Sequence, residues 1–129
     1  ALVEGVPAKS EDTIVTYLRE SKAFKIHSSR TNTEGQEAVT HYRILRKTEG
    51  YALLKVELET GRKNQIRVHM QEIGHPIVGD KKYGATVSPI GRIGLHARTL
   101  AFVHPVTKET WRFETPIPRK FMALFVAKK

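Results

Sequence analysis

The stretch Leu58-Glu59-Thr60-Gly61-Arg62-Lys63-Asn64-Gln65-Ile66-Arg67-Val68-His69-Met70, followed soon by Gly74-His75-Pro76-Ile77-Val78-Gly79-Asp80, sets the architecture of this chain. Just before it, Leu54, Val56 and Leu58 alternate with Lys55, Glu57 and Glu59. That period of two describes a strand with one buried face. Gly61 breaks the strand, and Lys63 to Ile73 follows as a helix with Ile66, Met70 and Ile73 on one face. Gly74 stands where a helix C-terminus favours a left-handed residue. Arg67 projects from the flank of the apolar stripe, which makes it half buried. Asn64 and Gln71 fall on the solvent side.

Upstream, Val39 to Leu45 is rich in strand formers and Glu49-Gly50 supplies turn chemistry. This segment and the alternating one pair as an antiparallel hairpin. Ala1 to Val6 reads as the end of a strand stopped by Pro7, so the chain opens inside an element. Thr13 to Leu18 and Ala23 to His27 are two short strands, and Ser28 to Gln36 is a polar loop. Beyond the helix, His75 to Ala85 and Val87 to Gly94 are loops. Leu95 to Val103 reads as a strand ended by His104-Pro105, with Thr110 to Glu114 as its hairpin partner. Pro118 opens a last helix that buries Phe121, Leu124 and Phe125. Tyr42, Phe102, Trp111 and Phe113 sit at strand spacing and belong to the core. Strands outnumber helices and hairpins dominate. The expected class is therefore α+β, a mixed, mainly antiparallel sheet with short helices, in one domain over residues 1–129.

With 129 residues, 40% of them hydrophobic, the chain can build a modest single core. It holds no apolar run near the roughly 20 residues that span a bilayer. Its first residues lack the basic start and apolar stretch of a signal peptide. There is no cysteine, which excludes disulfides, thiolate catalysis and cysteine zinc sites. A cytoplasmic location is compatible and is the expectation. Lys and Arg number 22 against 13 acids, a formal charge of +9. That balance favours an acidic partner, most often nucleic acid, with strongly salt-dependent binding. The alternative is an ordinary solvated surface.

Arg62, Lys63 and Arg67 occupy the strand-to-helix corner, beside the partial positive charge and free N–H groups of a helix start. Together they could hold a phosphate or carboxylate. A solvated helix start is the other reading, and the G-x-x-x-x-G-K-[ST] pattern of a P-loop is absent. His69 and His75 are six residues apart and fit no common zinc spacing, so no metal is expected. His41, His96 and His104 fall in strands, where in-sheet hydrogen bonding is their role. Asp12 and Asp80 are the two aspartates, and no serine sits in a G-x-S-x-G elbow, which disfavours serine hydrolysis. From the residues alone the reading ends at a basic α+β domain contacting RNA or DNA.

Thr60 to His69 resembles the T-G-R-x-H-Q-[IL]-R-x-H motif of the RluA-type pseudouridine synthases. Ala1 to Gly5 is similar to the strand that follows that family's active-site tyrosine, and Ala38 to Leu45 to its next strand. Gly74 to Gly84 resembles the family's G-H-P-I-x-G-D-x-x-Y-G loop. Leu95 to Pro105 resembles its L-H-A-x-x-L-x-F-x-H-P strand. The match is collinear over nearly the whole chain.

The resemblance implies an enzyme that converts uridine in rRNA or tRNA to pseudouridine, without metal or cofactor. The family's catalytic aspartate, in an H-R-L-D-x-x-[ST]-G motif, works on a flipped-out nucleotide. Arg67 matches the arginine that pairs with that aspartate, keeping it ionised and aimed. Arg62, Lys63 and Gln65 fall on positions facing the substrate channel, and Leu95 matches an apolar residue at the pocket floor. His-Arg-Leu-Asp occurs nowhere in the chain, the active-site tyrosine is missing, and Asn64 replaces the usual histidine, which removes a titrating group. The resemblance therefore implies the C-terminal half of a synthase catalytic domain, inactive alone, with aspartate and tyrosine upstream of residue 1. A stand-alone, non-catalytic RNA-binding module is the alternative. The partner is RNA, no membrane is involved, and an uncovered sheet edge favours self-association.

Overall fold

The segments upstream of Gly61 join into one five-stranded sheet. The structure, a computed structural model, describes residues 1–20, 26–29, 35–97, 99–103, 106–108 and 110–123, with the backbone alone for 99–103 and 110–113. The strands are β1 (Leu2–Glu4), β2 (Glu11–Glu20), β3 (Ile26–Ser29), β4 (Gln36–Lys47) and β5 (Tyr51–Leu58), in the order β1-β5-β4-β2-β3. Every pairing among them is antiparallel. The expected β4–β5 hairpin forms, with a register shift between Ile44 and Arg46. Helix α1 (Gln65–Glu72) follows, then a single 3₁₀ turn at Lys81–Tyr83. A separate ribbon of β6 (Thr99–Val103) and β7 (Thr110–Glu114) leads to the short helix α2 (Arg119–Ala123).

Strand β5 departs from the simple alternation. Ala52, Leu53 and Leu54 are all buried, whereas Leu58 is 45% exposed. The reason is that β5 is covered on both faces at its start. Leu54 belongs to a cluster with Val3, Ile14, Tyr42, Met70 and Ile77. Leu53 belongs to another, with Leu2, Val78, Ile90 and Phe121. Burying such a side chain contributes about 1.5–3 kcal/mol, so this two-sided strand anchors the domain.

Other expectations need correction. Ser28 and Ser29 continue β3, pairing with Leu18 and Tyr17, instead of opening a loop. Leu95 to Ala97 is not strand, and β6 begins only at Thr99. Gly94 there is tied to the first strand, accepting from Leu2 N and donating to Val78 O. A Cβ on Gly94 would come within 2.6 Å of Val78 and 2.9 Å of Leu2. The carbonyls of Leu95 and Ala97 then accept from the Arg92 and Thr115 side chains, not from a partner strand. Tyr42 and Phe121 are buried as expected. His104, Leu124 and Phe125, and the side chains of Phe102, Trp111 and Phe113, lie outside the described residues.

Candidate active site

The corner between β5 and α1 is organised by a buried amide. Asn64 adopts a left-handed backbone with φ 56° immediately before α1, a conformation that Asn tolerates better than most residues. Gln65 then turns inward and is 2% exposed. Its Oε1 accepts from Thr60 Oγ1 at 2.7 Å and Arg62 N at 3.0 Å. Its Nε2 donates to Val39 O at 3.0 Å and Thr40 Oγ1 at 2.9 Å. All four hydrogen-bonding positions of the amide are used inside the protein.

One turn on, His69 is fully buried between two strand hydroxyls. Nδ1 lies 2.6 Å from Thr40 Oγ1 and Nε2 lies 2.7 Å from Thr16 Oγ1. A neutral imidazole satisfies this arrangement with one nitrogen donating and the other accepting. Thr60, Gln65, Thr40, His69 and Thr16 therefore form a polar line that pins α1 to β4 and β2. The apolar face of Ile66, Met70 and Ile73 packs against a different cluster. The helix has two buried sides, and the periodicity of its apolar residues reveals one of them.

Arg67 leaves α1 toward the loop that follows. Gly74 (φ 83°) ends the helix, and Gly79 (φ 76°) bends the chain where a Cβ would meet Arg92 O at 2.4 Å. That bend places Asp80, 1% exposed, directly against Arg67. Nε of Arg67 donates to Oδ2 and Nη2 to Oδ1, each at 2.8 Å. The guanidinium also lies over the Tyr83 ring, 4.9 Å from its centre. These hydrogen bonds with Asp80 hold the Arg67 proton more tightly than usual, against the opposing effect of burial. Tyr83 is itself buried, and its hydroxyl accepts from Ile26 N and from Asn64 Nδ2.

The expected site residues part company here. Arg67 is half buried, with a side chain 22% exposed. The three cations do not converge. Arg62 donates Nε to Glu37 O, and Lys63 ion-pairs with Glu20 at 2.7 Å, both at the outer end of β2 and β4. Arg67 turns the other way, to Asp80. Gln65 offers no side-chain atom to a channel, because its amide is consumed internally. Asn64 is not a solvent residue either, since Oδ1 meets Arg67 Nη1 at 3.4 Å and Nδ2 meets Tyr83.

Leu95 lines a cleft of about 810 Å³ together with Ala1, Leu54, Val56, Ile66 and Phe121. Arg67 does not line that cleft. His41 bonds Thr13 across the sheet at 2.7 Å, whereas His96 bonds Thr115 outside any strand. Among the described residues no group of His, Asp or Glu could hold a metal ion, and no helix is long and apolar enough to cross a membrane. Asp80 and Tyr83 escaped the sequence reading. The one available signal was their place in the Gly79-to-Gly84 loop.

Comparison with known proteins converges on one family. The family model described as RNA pseudouridylate synthase matches residues 1–72. An uncharacterized RNA pseudouridine synthase of Bacillus subtilis, YjbO, is 40% identical over 124 residues, covering 96% of this chain and 44% of its own length. The ribosomal large subunit pseudouridine synthase D of Pasteurella multocida is 40% identical over 109 residues, covering 74% of this chain and 34% of its own. The chain thus spans less than half the length of these curated relatives. Among solved structures, human RNA pseudouridylate synthase domain containing 1 superposes with a TM-score of 0.74 at 27% identity, over 90% of this chain and 52% of its own.

Proposed function

The chain belongs to the RNA pseudouridylate synthase family, and from that premise we propose that its protein isomerises uridine to pseudouridine within rRNA or tRNA. The reaction moves the glycosidic bond of one base from N1 to C5, with loss of the C5 proton and gain of one at N1. It is redox-neutral and balances without a cofactor. The observation that carries the reading is Arg67, a half-buried guanidinium held rigidly at the motif position where the resemblance places a carboxylate-pairing arginine. Its task is to keep a reacting carboxylate ionised and aimed through charge-assisted hydrogen bonds.

In this reading residues 1–129 form the arginine side of the site, and the carboxylate comes from outside them. Arg62 and Lys63, exposed at the outer end of β2 and β4, contact RNA phosphates, and the net charge of +9 draws the RNA in. Leu95 contributes an apolar wall to the cleft beside β5. A cytoplasmic location goes with the same proposal.

Tritium release from RNA carrying 5-tritiated uridine tests the whole. The full-length protein turns over and the 129-residue chain alone does not. Turnover by the isolated chain refutes the half-site assignment. Salt-dependent RNA binding by the full-length protein without any tritium release would favour the non-catalytic module instead.

A further inference from the structure

Asp80 lies outside the roles assigned so far, yet it is the most deeply buried ionic group among the described residues. A guanidinium has two faces that can each take a carboxylate: a side-on face made by Nε and one Nη, and an end-on face made by both Nη groups. Asp80 fills the side-on face of Arg67 completely, with two bonds of 2.8 Å. Among the described residues the end-on face meets only Asn64 Oδ1, at a long 3.4 Å from Nη1, and the side chain keeps 22% of its exposure. The Tyr83 ring closes one flat side of the group at 4.9 Å.

We infer that Asp80 is a positioning residue, which grips Arg67 side-on so that its end-on face is presented to the reacting carboxylate. The inference rests on the isomerase reading given above. Lysine could not do this, because an ammonium is a point charge without two planar faces. Asp80 also sets the strength of the interaction. Its negative charge offsets part of the Arg67 charge, so the second carboxylate feels a weaker cation than a lone arginine would supply. The other ionisable groups at this point are Tyr83, beneath the guanidinium, and Lys82, whose Nζ lies 5.9 Å from the centre of the same ring.

The test is Asp80→Asn in the full-length protein, assayed by tritium release across pH. Asparagine keeps the shape but loses the charge and one acceptor. The kcat should fall by roughly 10²-fold, the cost of a small misplacement at a reacting centre, with KM unchanged. The acid limb of the kcat profile should move to lower pH, because the reacting carboxylate then faces an uncompensated guanidinium. A kcat that stays at the wild-type value, or one that falls with the acid limb in place, overturns the positioning role.

Absence of turnover in the wild-type protein overturns the isomerase reading and this inference with it, a distinct result. Should the variant fail to fold, the wild-type protein labelled at arginine Nε decides by NMR. A slowly exchanging Arg67 Nε–H supports the grip, and a freely exchanging one overturns it.

Discussion

Gln65 and Arg67 are two residues apart on one helix and serve opposite ends. Gln65 is a structural amide whose four hydrogen bonds join the corner, β4 and the helix start. Gln65→Ala should cost roughly 2–4 kcal/mol, since each buried group left without a partner costs about 1–3 kcal/mol. The urea midpoint should fall, with RNA affinity per folded molecule preserved. Arg67→Ala should abolish most turnover in the full-length protein while leaving it folded. Some destabilisation accompanies it, because Asp80 is then a buried charge without its partner, a loss of about 3–5 kcal/mol in comparable pairs. Wild-type tritium release by that variant would remove Arg67 from the site.

Within the elements, β5 and α1 share a property that periodicity alone conceals: each is buried on two sides. The alternation of Leu54, Val56 and Leu58 correctly marks a strand, but burial along that face fades from Leu54, 2% exposed, to Leu58, 45% exposed. Burial peaks at Ala52 to Leu54, where Met70 and Ile77 cover one face of the strand and Val78, Ile90 and Phe121 cover the other. Leu53→Ala and Leu54→Ala should therefore each lose about 2–5 kcal/mol, measured by chemical denaturation, whereas Leu58→Ala should be nearly neutral. Comparable losses at all three positions would contradict the two-sided packing. In α1 the second buried side is polar. Gln65 and His69 look like solvent residues to a hydrophobicity count, and their burial is offset by partners from distant strands: Val39 O and Thr40 for Gln65, together with Thr60 and Arg62 N, and the hydroxyls of Thr40 and Thr16 for His69.

At the scale of the free 129-residue chain, β1 is an edge strand of the sheet. The Ala1 amine donates to Leu54 O at 2.8 Å, and burial pulls its pKa from 8.0 down to about 5. An unfolded chain therefore binds more protons than the folded one between those values, and stability falls as the pH drops from about 8 to about 5. At about 1.4 kcal/mol per pH unit this amounts to roughly 4 kcal/mol for the free 129-residue chain. Acetylating Ala1 should remove the dependence in thermal melts. The same edge leaves Lys55 to Leu58 of β5 without a strand on the β1 side among the described residues. The isolated chain should self-associate there, and a strictly monomeric light-scattering signal at high concentration would contradict this.

The amino-acid sequence alone determined the family, the α+β class, the β4–β5 hairpin, the helix after Gly61 and the half-buried setting of Arg67. These follow from local chemistry: side-chain alternation, glycine breaks and a collinear set of motifs, all read within a few residues. Tertiary structure decided the rest. It directed Gln65 inward, sent Arg62 and Lys63 away from Arg67, and brought Asp80 to the guanidinium from 13 residues along the chain. Such pairings depend on where a glycine-bent loop returns across a helix. No periodicity records that, because the energy that selects it comes from burying both partners together. The opening stretch contains both Arg67 and Asp80, and only the fold brings the two together.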